Sequence, residues 1–197
     1  MSIILDGTTG ITTPDIQSAA GLDAADLTGT VASARLPAGS VIQVVSTTKT
    51  DTFSTSSSGN VDITGLSVNI TPTNASSKFL IFAKVSVSNS QPQNTAFVVQ
   101  LVRDATLINK GDGAGNRAVG FSGSEEGISD NVYGQFQTYD FTTNHLDSPN
   151  TTNQLTYKIR FFLSQTNTIY VNRTGVDNDT LAYPRLTSNI TVMEIAA

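Results

Sequence analysis

The sequence has no cysteine and a single histidine, and charged residues make up only 14% of its 197 positions. Each shortage excludes something. Without cysteine there is neither a disulfide nor a thiolate metal site. With one histidine, His145, a histidine-based triad has one candidate base. Lys and Arg number 11 against 16 Asp and Glu, a formal charge of -5, and no basic stripe is visible. Neutralising a nucleic-acid backbone takes clustered cations, so no nucleic-acid partner is expected. No apolar run approaches the length of a membrane-crossing helix, and membrane insertion is not expected. The first residues, Met1-Ser-Ile-Ile-Leu-Asp6, lack the basic region and long apolar core of a signal peptide. Synthesis in a cytoplasm, without an export signal, follows as the expectation.

Ser, Thr, Asn and Gly fill the space that charge and apolar bulk leave. β-branched Thr loses rotamer freedom in a helix, and Asn and Gly favour turns, so this composition suits strands and tight connections. From Ser40 onward the pattern is of that kind. Val41-Ile-Gln-Val-Val45 is apolar on both sides, as in a central or interface strand. Leu66, Val68 and Ile70 alternate with polar residues. Lys78 to Ser88 is the strongest strand, with Phe79, Ile81, Ala83, Val85 and Val87 on one face and Leu80 and Phe82 on the other. Phe97–Arg103 and Leu155–Leu163 follow, the latter with Tyr157, Ile159, Phe161 and Leu163 inward. Arg117–Phe121 and Val132–Phe141 are weaker strands. A Ser/Thr loop or exposed edge is expected at 47–60 and polar loops at 122–130, 144–153 and 172–188, and Asn189–Ile195 is the last strand. Short strands at this spacing, without a long helix, predict an all-β fold: an antiparallel β-sandwich of jelly-roll type.

The chain ahead of that head differs. Residues 1–21 form a low-charge arm in which Ile3, Ile4 and Leu5 make an apolar plug, and short helical turns are expected after Pro14. Residues 22–39 cannot make a core of their own, because Leu27, Val31 and Leu36 are separated by small and polar residues. Such spacing suits packing against copies of the same segment. Leu27-Thr-Gly-Thr-Val31 followed by Ala34-Arg-Leu-Pro37 resembles a motif of bacteriophage fibre proteins, "LTGTV-x-x-ARLP", which recurs as a joint along homotrimeric shafts. The head adds "DITGLSVNITP" (Asp62 to Pro72), "SSKFLI" (Ser76 to Ile81) and "SNITVMEIA" (Ser188 to Ala196). These are similar to C-terminal domains of phage tail-fibre and virion structural proteins. The resemblance implies a homotrimer with Leu27, Val31, Arg35 and Leu36 in the joint, an N-terminal arm that anchors on other virion proteins, and residence in the virion after synthesis in the host cytoplasm. Fibres of this kind are commonly long. Here the joint occurs once, so the object is a stub, divided as arm 1–21, joint 22–39 and head 40–197.

Residues that carry chemistry in enzymes fall here in patterns that do not. Asp147 and Ser148 beside His145 are local turn formers. Gly111-x-Gly-x-Gly115 lacks the Lys-Ser/Thr of a phosphate loop. Glu125 and Glu126 are adjacent, and strand neighbours point apart. Asp177-Asn-Asp179 offers alternating oxygens without the distal Glu of a calcium loop. No enzymatic activity, metal or cofactor is expected. Tyr183 offers a flat apolar face, and Arg173, Arg185 and Asp179 offer hydrogen-bonding groups around it, a set suited to a host-surface glycan. The expectation is a non-enzymatic phage fibre or appendage. A capsid decoration or cement protein of the same fold is the first alternative, and a free carbohydrate-binding module the second.

Overall fold

The computed structural model describes residues 36–90, 96–124, 134–164 and 168–197. The chain separates into two units, Met1–Ala32 and Ser33–Ala197, and every described residue lies in the second. Ile3, Ile4, Leu5, Leu27, Val31 and Arg35 lie outside the described residues.

Eleven strands make up the described head: β1 (Val41–Lys49), β2 (Phe53–Thr55), β3 (Gly59–Ile70), β4 (Lys78–Asn89), β5 (Phe97–Arg103), β6 (Thr106–Ile108), β7 (Ser122–Ser124), β8 (Tyr139–Asp147), β9 (Leu155–Leu163), β10 (Ile169–Val171) and β11 (Ser188–Ile195). All their pairings are antiparallel. The registers reduce eleven strands to eight lines. β1 and β2 run end to end, as do β11 and β10, because Ile81 of β4 faces Val192 while Val87 of the same strand faces Val171. β7 and β6 likewise share one edge of β5. One sheet is therefore β1/β2, β11/β10, β4, β8, and the other is β3, β9, β5, β6/β7. Successive lines alternate between the sheets except at β5 to β6/β7. The whole is a long antiparallel hairpin rolled on itself, a jelly roll.

Side-chain alternation places the core. In β9 the inward residues Leu155, Tyr157, Ile159, Phe161 and Leu163 are buried and their neighbours half-buried. Phe79, Ile81, Ala83, Val85 and Val87 of β4 face them from the other sheet. Phe97 meets Phe141 and Phe161 edge-on, at 5.4 and 5.8 Å between ring centroids, the arrangement that aromatic quadrupoles favour. β3 breaks its alternation once. Its register slips between Asp62 and Ser67, where Gly65 has φ +80°. The bulge lets Ile63 and Leu66, three positions apart, both point inward and be buried.

Several local expectations change. Arg117–Phe121 is not a strand, while β7 begins at Ser122. The segment 47–60 holds the end of β1, all of β2 and the start of β3. The strand expected at Val132–Phe141 is instead β8, displaced to Tyr139–Asp147, so His145 sits in a strand rather than a loop.

Candidate functional site

The loop after β10 is held by one residue. Asn172 is fully buried with φ +64°, a left-handed conformation that Asn tolerates better than most side chains. Its Nδ2 donates to the carbonyls of Lys49 and Asp51, each at 2.9 Å, and its Oδ1 accepts from the Ser188 hydroxyl at 2.7 Å. Both ends of the loop are thereby tied to the turn after β1. Three residues on, Gly175 lies against the end of β4, where a Cβ would fall 2.2 Å from the Asn89 carbonyl oxygen. Only glycine allows that approach.

Beyond this clasp the loop closes on Asp177. The Arg173 guanidinium donates to Asp177 Oδ2 at 2.7 Å, and Arg185 takes Oδ1. The hydrogen bonds from Arg185 and Arg173, in that order, hold the Asp177 carboxyl down at about 2. Arg173 also lies over the Tyr170 ring at 3.9 Å, a cation–π contact. A hollow of about 220 Å³ opens beside the pair, lined by Asp177, Asn178, Asp179, Thr180, Tyr183 and Arg185. The structure thus brings Asp179, Tyr183 and Arg185 together and leaves Arg173 outside the hollow, on the other oxygen of Asp177. The Tyr183 ring lies against Phe136 at 6.0 Å between centroids, which fixes its orientation. What the hollow offers is a half-buried aromatic ring, two acidic groups, an amide, a hydroxyl and one guanidinium. These groups can hydrogen-bond and stack.

With both oxygens of Asp177 on arginines, the oxygen set suggested by Asp177 and Asp179 is taken up. Among the described residues no group of three or more His, Cys, Asp or Glu side chains is placed to hold a metal ion. The carboxylate two residues from His145 is also engaged. Asp147 accepts from Arg103 at 2.6 Å to each oxygen and from the Tyr157 hydroxyl at 2.7 Å. Burial, then the hydrogen bond to Asp147, pushes the Tyr157 hydroxyl far above its ordinary value. Sequence reasoning missed this cluster, since its members are 44 and 10 positions apart along the chain. The only sequence signal was a Tyr at an inward position of β9. A second buried carboxylate, Glu194, accepts from the Thr73 amide and hydroxyl, both at 2.7 Å, and from Gln43 at 2.5 Å. Burial alone would push it up, but the donors around it, Gln43 and Thr73 among them, hold it below the usual range.

The outer faces of the two sheets differ. On the β3–β9–β5 sheet, Asp62 pairs with Lys158 at 2.6 Å, Arg160 donates to Gln100 at 2.6 Å and Thr156 to Asn69 at 2.7 Å. On the other sheet an apolar row crosses all four lines. Val44 lies opposite Met193, Met193 opposite Leu80, and Leu80 opposite Leu146. Phe82, Val41 and Ile195 extend it. Val44 is 53% exposed, Leu146 52%, Val41 51% and Phe82 42%. Ile190 and Val192 of β11 point the other way, into the core, and are fully buried. Leu36, the one described member of the joint set, lines a hollow of about 180 Å³ with Ile42, Thr73, Ala196 and Ala197 among its neighbours.

No family model matches the chain, and no curated protein matches it. Among solved structures, similarity is found to particles of infectious bursal disease virus. The VP2 subviral particle is 15% identical, with 78% of this chain and 41% of that chain covered and a TM-score of 0.37. The T=1 particle is 14% identical, with 79% and 36% covered and a TM-score of 0.39. The Gx strain structure is 14% identical, with 79% and 37% covered and a TM-score of 0.37. The chain spans about two fifths of the length of these neighbours or less, and scores at this level carry no inference about function.

Proposed function

We propose that this chain is a non-enzymatic structural protein of a bacteriophage virion, a short homotrimeric fibre or appendage. Its arm attaches to other virion proteins and its jelly-roll head is displayed. One observation supports this most: the head carries an exposed apolar row across β1, β11, β4 and β8, directly downstream in sequence of a joint-like segment. Surfaces of that kind are association surfaces, and a scaffold needs them where an enzyme needs poised groups. Deleting residues 1–21 tests the division of labour. The truncated protein is expected to remain a soluble, folded trimer and to be lost from particles. Aggregation or unfolding of the truncated protein overturns the anchoring role.

The hollow at Asp179, Tyr183 and Arg185 is the place for a host-surface glycan. Loops held by a rigid scaffold present binding groups at little entropic cost, and three such sites on a trimer gain by avidity on a repetitive receptor. Tyr183→Ala with Arg185→Ala is expected to abolish adsorption to cells. Thermal stability should change little, because Arg185 is exposed and an exposed ion pair contributes little. Normal adsorption of the double variant moves the decoration or cement reading ahead, in which the head ties capsid subunits together and meets no host.

A further inference from the structure

The apolar row on the outer face of the β1–β11–β4–β8 sheet has two ends, and they are different. At the β1 end stand Val41 and Val44; at the β8 end stand Leu146 and, one strand in, Phe82. Leu80 and Met193 between them are only half-buried. From this we infer that the face is where copies of this chain meet, with the Val44 end of one copy seated on the Leu146 end of the next. The assignment rests on the trimeric reading above and names the surface that closes the trimer.

Three features favour a second copy as the occupant. First, charge: among the described strand residues, the outer face of β1, β11, β4 and β8 carries only Lys78, Lys84 and Asp140 as charges, with Lys84 and Asp140 paired at 3.1 Å, on a chain of formal charge -5. The acidic surplus that would make copies repel lies elsewhere. Second, symmetry: a closed ring of three requires two unlike patches on each copy, whereas a two-fold contact repeats one patch. The row supplies two patches at opposite edges of one sheet. Third, continuity: β1, which carries Val41 and Val44, follows directly in sequence on residues 22–39, the segment read as the trimer joint.

The absence of cysteine makes the test clean. Val44 and Leu146 stand three strand spacings apart across the sheet, about 14 Å, beyond the ~7 Å that a disulfide can bridge. A Val44→Cys, Leu146→Cys double variant can therefore cross-link only between copies. Oxidation is expected to give covalent trimers of three 20.8 kDa chains, 62.4 kDa together, while each single variant stays uncross-linked. Phe82→Asp and Leu146→Asp should convert the trimer to folded monomers by light scattering and circular dichroism. A covalent dimer from either single variant overturns the assignment in favour of a two-fold contact. Wild-type protein that scatters as a monomer overturns the trimeric reading and this assignment together. A wild-type trimer indifferent to every variant overturns this assignment alone, leaving assembly to the joint and the face to a different virion protein.

Discussion

Asp147→Ala is expected to remove about 3–4 kcal/mol of stability, because deleting one partner of a buried pair strands the other groups without water or partner. Two groups are stranded here. The Arg103 cation, 21% exposed at the side chain, loses both of its carboxylate oxygens. The Tyr157 hydroxyl, on a fully buried residue, loses its acceptor. Partial exposure of Arg103 lets water reach it and keeps the loss toward the lower end of the ~3–5 kcal/mol range for such deletions. The cluster also joins the sheets: Asp147 ends β8 in one, and Arg103 and Tyr157 are cross-strand neighbours in the other. Tyr157→Phe removes only a hydroxyl and leaves Asp147 paired with Arg103, so it should cost about 1 kcal/mol. Combining Asp147→Leu with Arg103→Met and Tyr157→Phe should recover much of the loss, since an apolar replacement of a buried pair is often neutral and no hydroxyl is then left without its acceptor. Denaturant unfolding at one fixed protein concentration checks all three. If Asp147→Ala falls within 1 kcal/mol of Tyr157→Phe, the carboxylate is not what holds this end of the sandwich.

Asn172→Ala is expected to cost a similar amount, about 3–5 kcal/mol, through a different mechanism. The buried carbonyl of Lys49 loses its donor and the buried Ser188 hydroxyl loses its acceptor, each stranded group costing about 1–3 kcal/mol, while the carbonyl of Asp51, an exposed residue, can turn to water. Alanine must also hold φ +64°, which adds about 1–2 kcal/mol for an L-residue in the left-handed region. Asn172→Gly separates the two contributions: it removes the same hydrogen bonds without the backbone penalty and should be about 1 kcal/mol less damaging than alanine. Hydrogen exchange should rise across 173–187 in both variants, because the clasp ties that loop to the β1–β2 turn. Equal stability of the alanine and glycine variants means the left-handed backbone contributes nothing. Unchanged exchange in the loop means the hydrogen bonds do not hold it.

Much of the architecture was legible before any coordinates. β4 and β9 alternate so regularly that their inward residues could be read directly, and the composition pointed to an all-β sandwich. β8 was the failure, and its chemistry explains why. Its inward residues are Phe141, Thr143, His145 and Asp147, only one of them apolar, while Leu146 points outward. The period-2 signal is therefore absent from the side where it was sought. The inward side is polar because it meets polar partners from distant strands, Asn109 at Thr143 and Arg103 with Tyr157 at Asp147. In β3 the bulge at Gly65 shifted the period by one and hid Ile63 from an alternation begun at Leu66.

Tyr183, Arg185 and Asp179 do share a hollow, but residue types in a loop cannot say that Asp177 would claim both arginines and draw Arg173 away. Sequence by itself determined that this is a β-protein with strands, Val41–Val45 and Lys78–Ser88, that are apolar on both sides. Tertiary structure decided which side is left outside. Alternation states that the two sides of a strand differ, and in β1, β4 and β11 both sides are apolar. Only the packing of the second sheet buries Ile190, Val192 and Ile81 and leaves Val44, Met193, Leu80 and Phe82 facing outward.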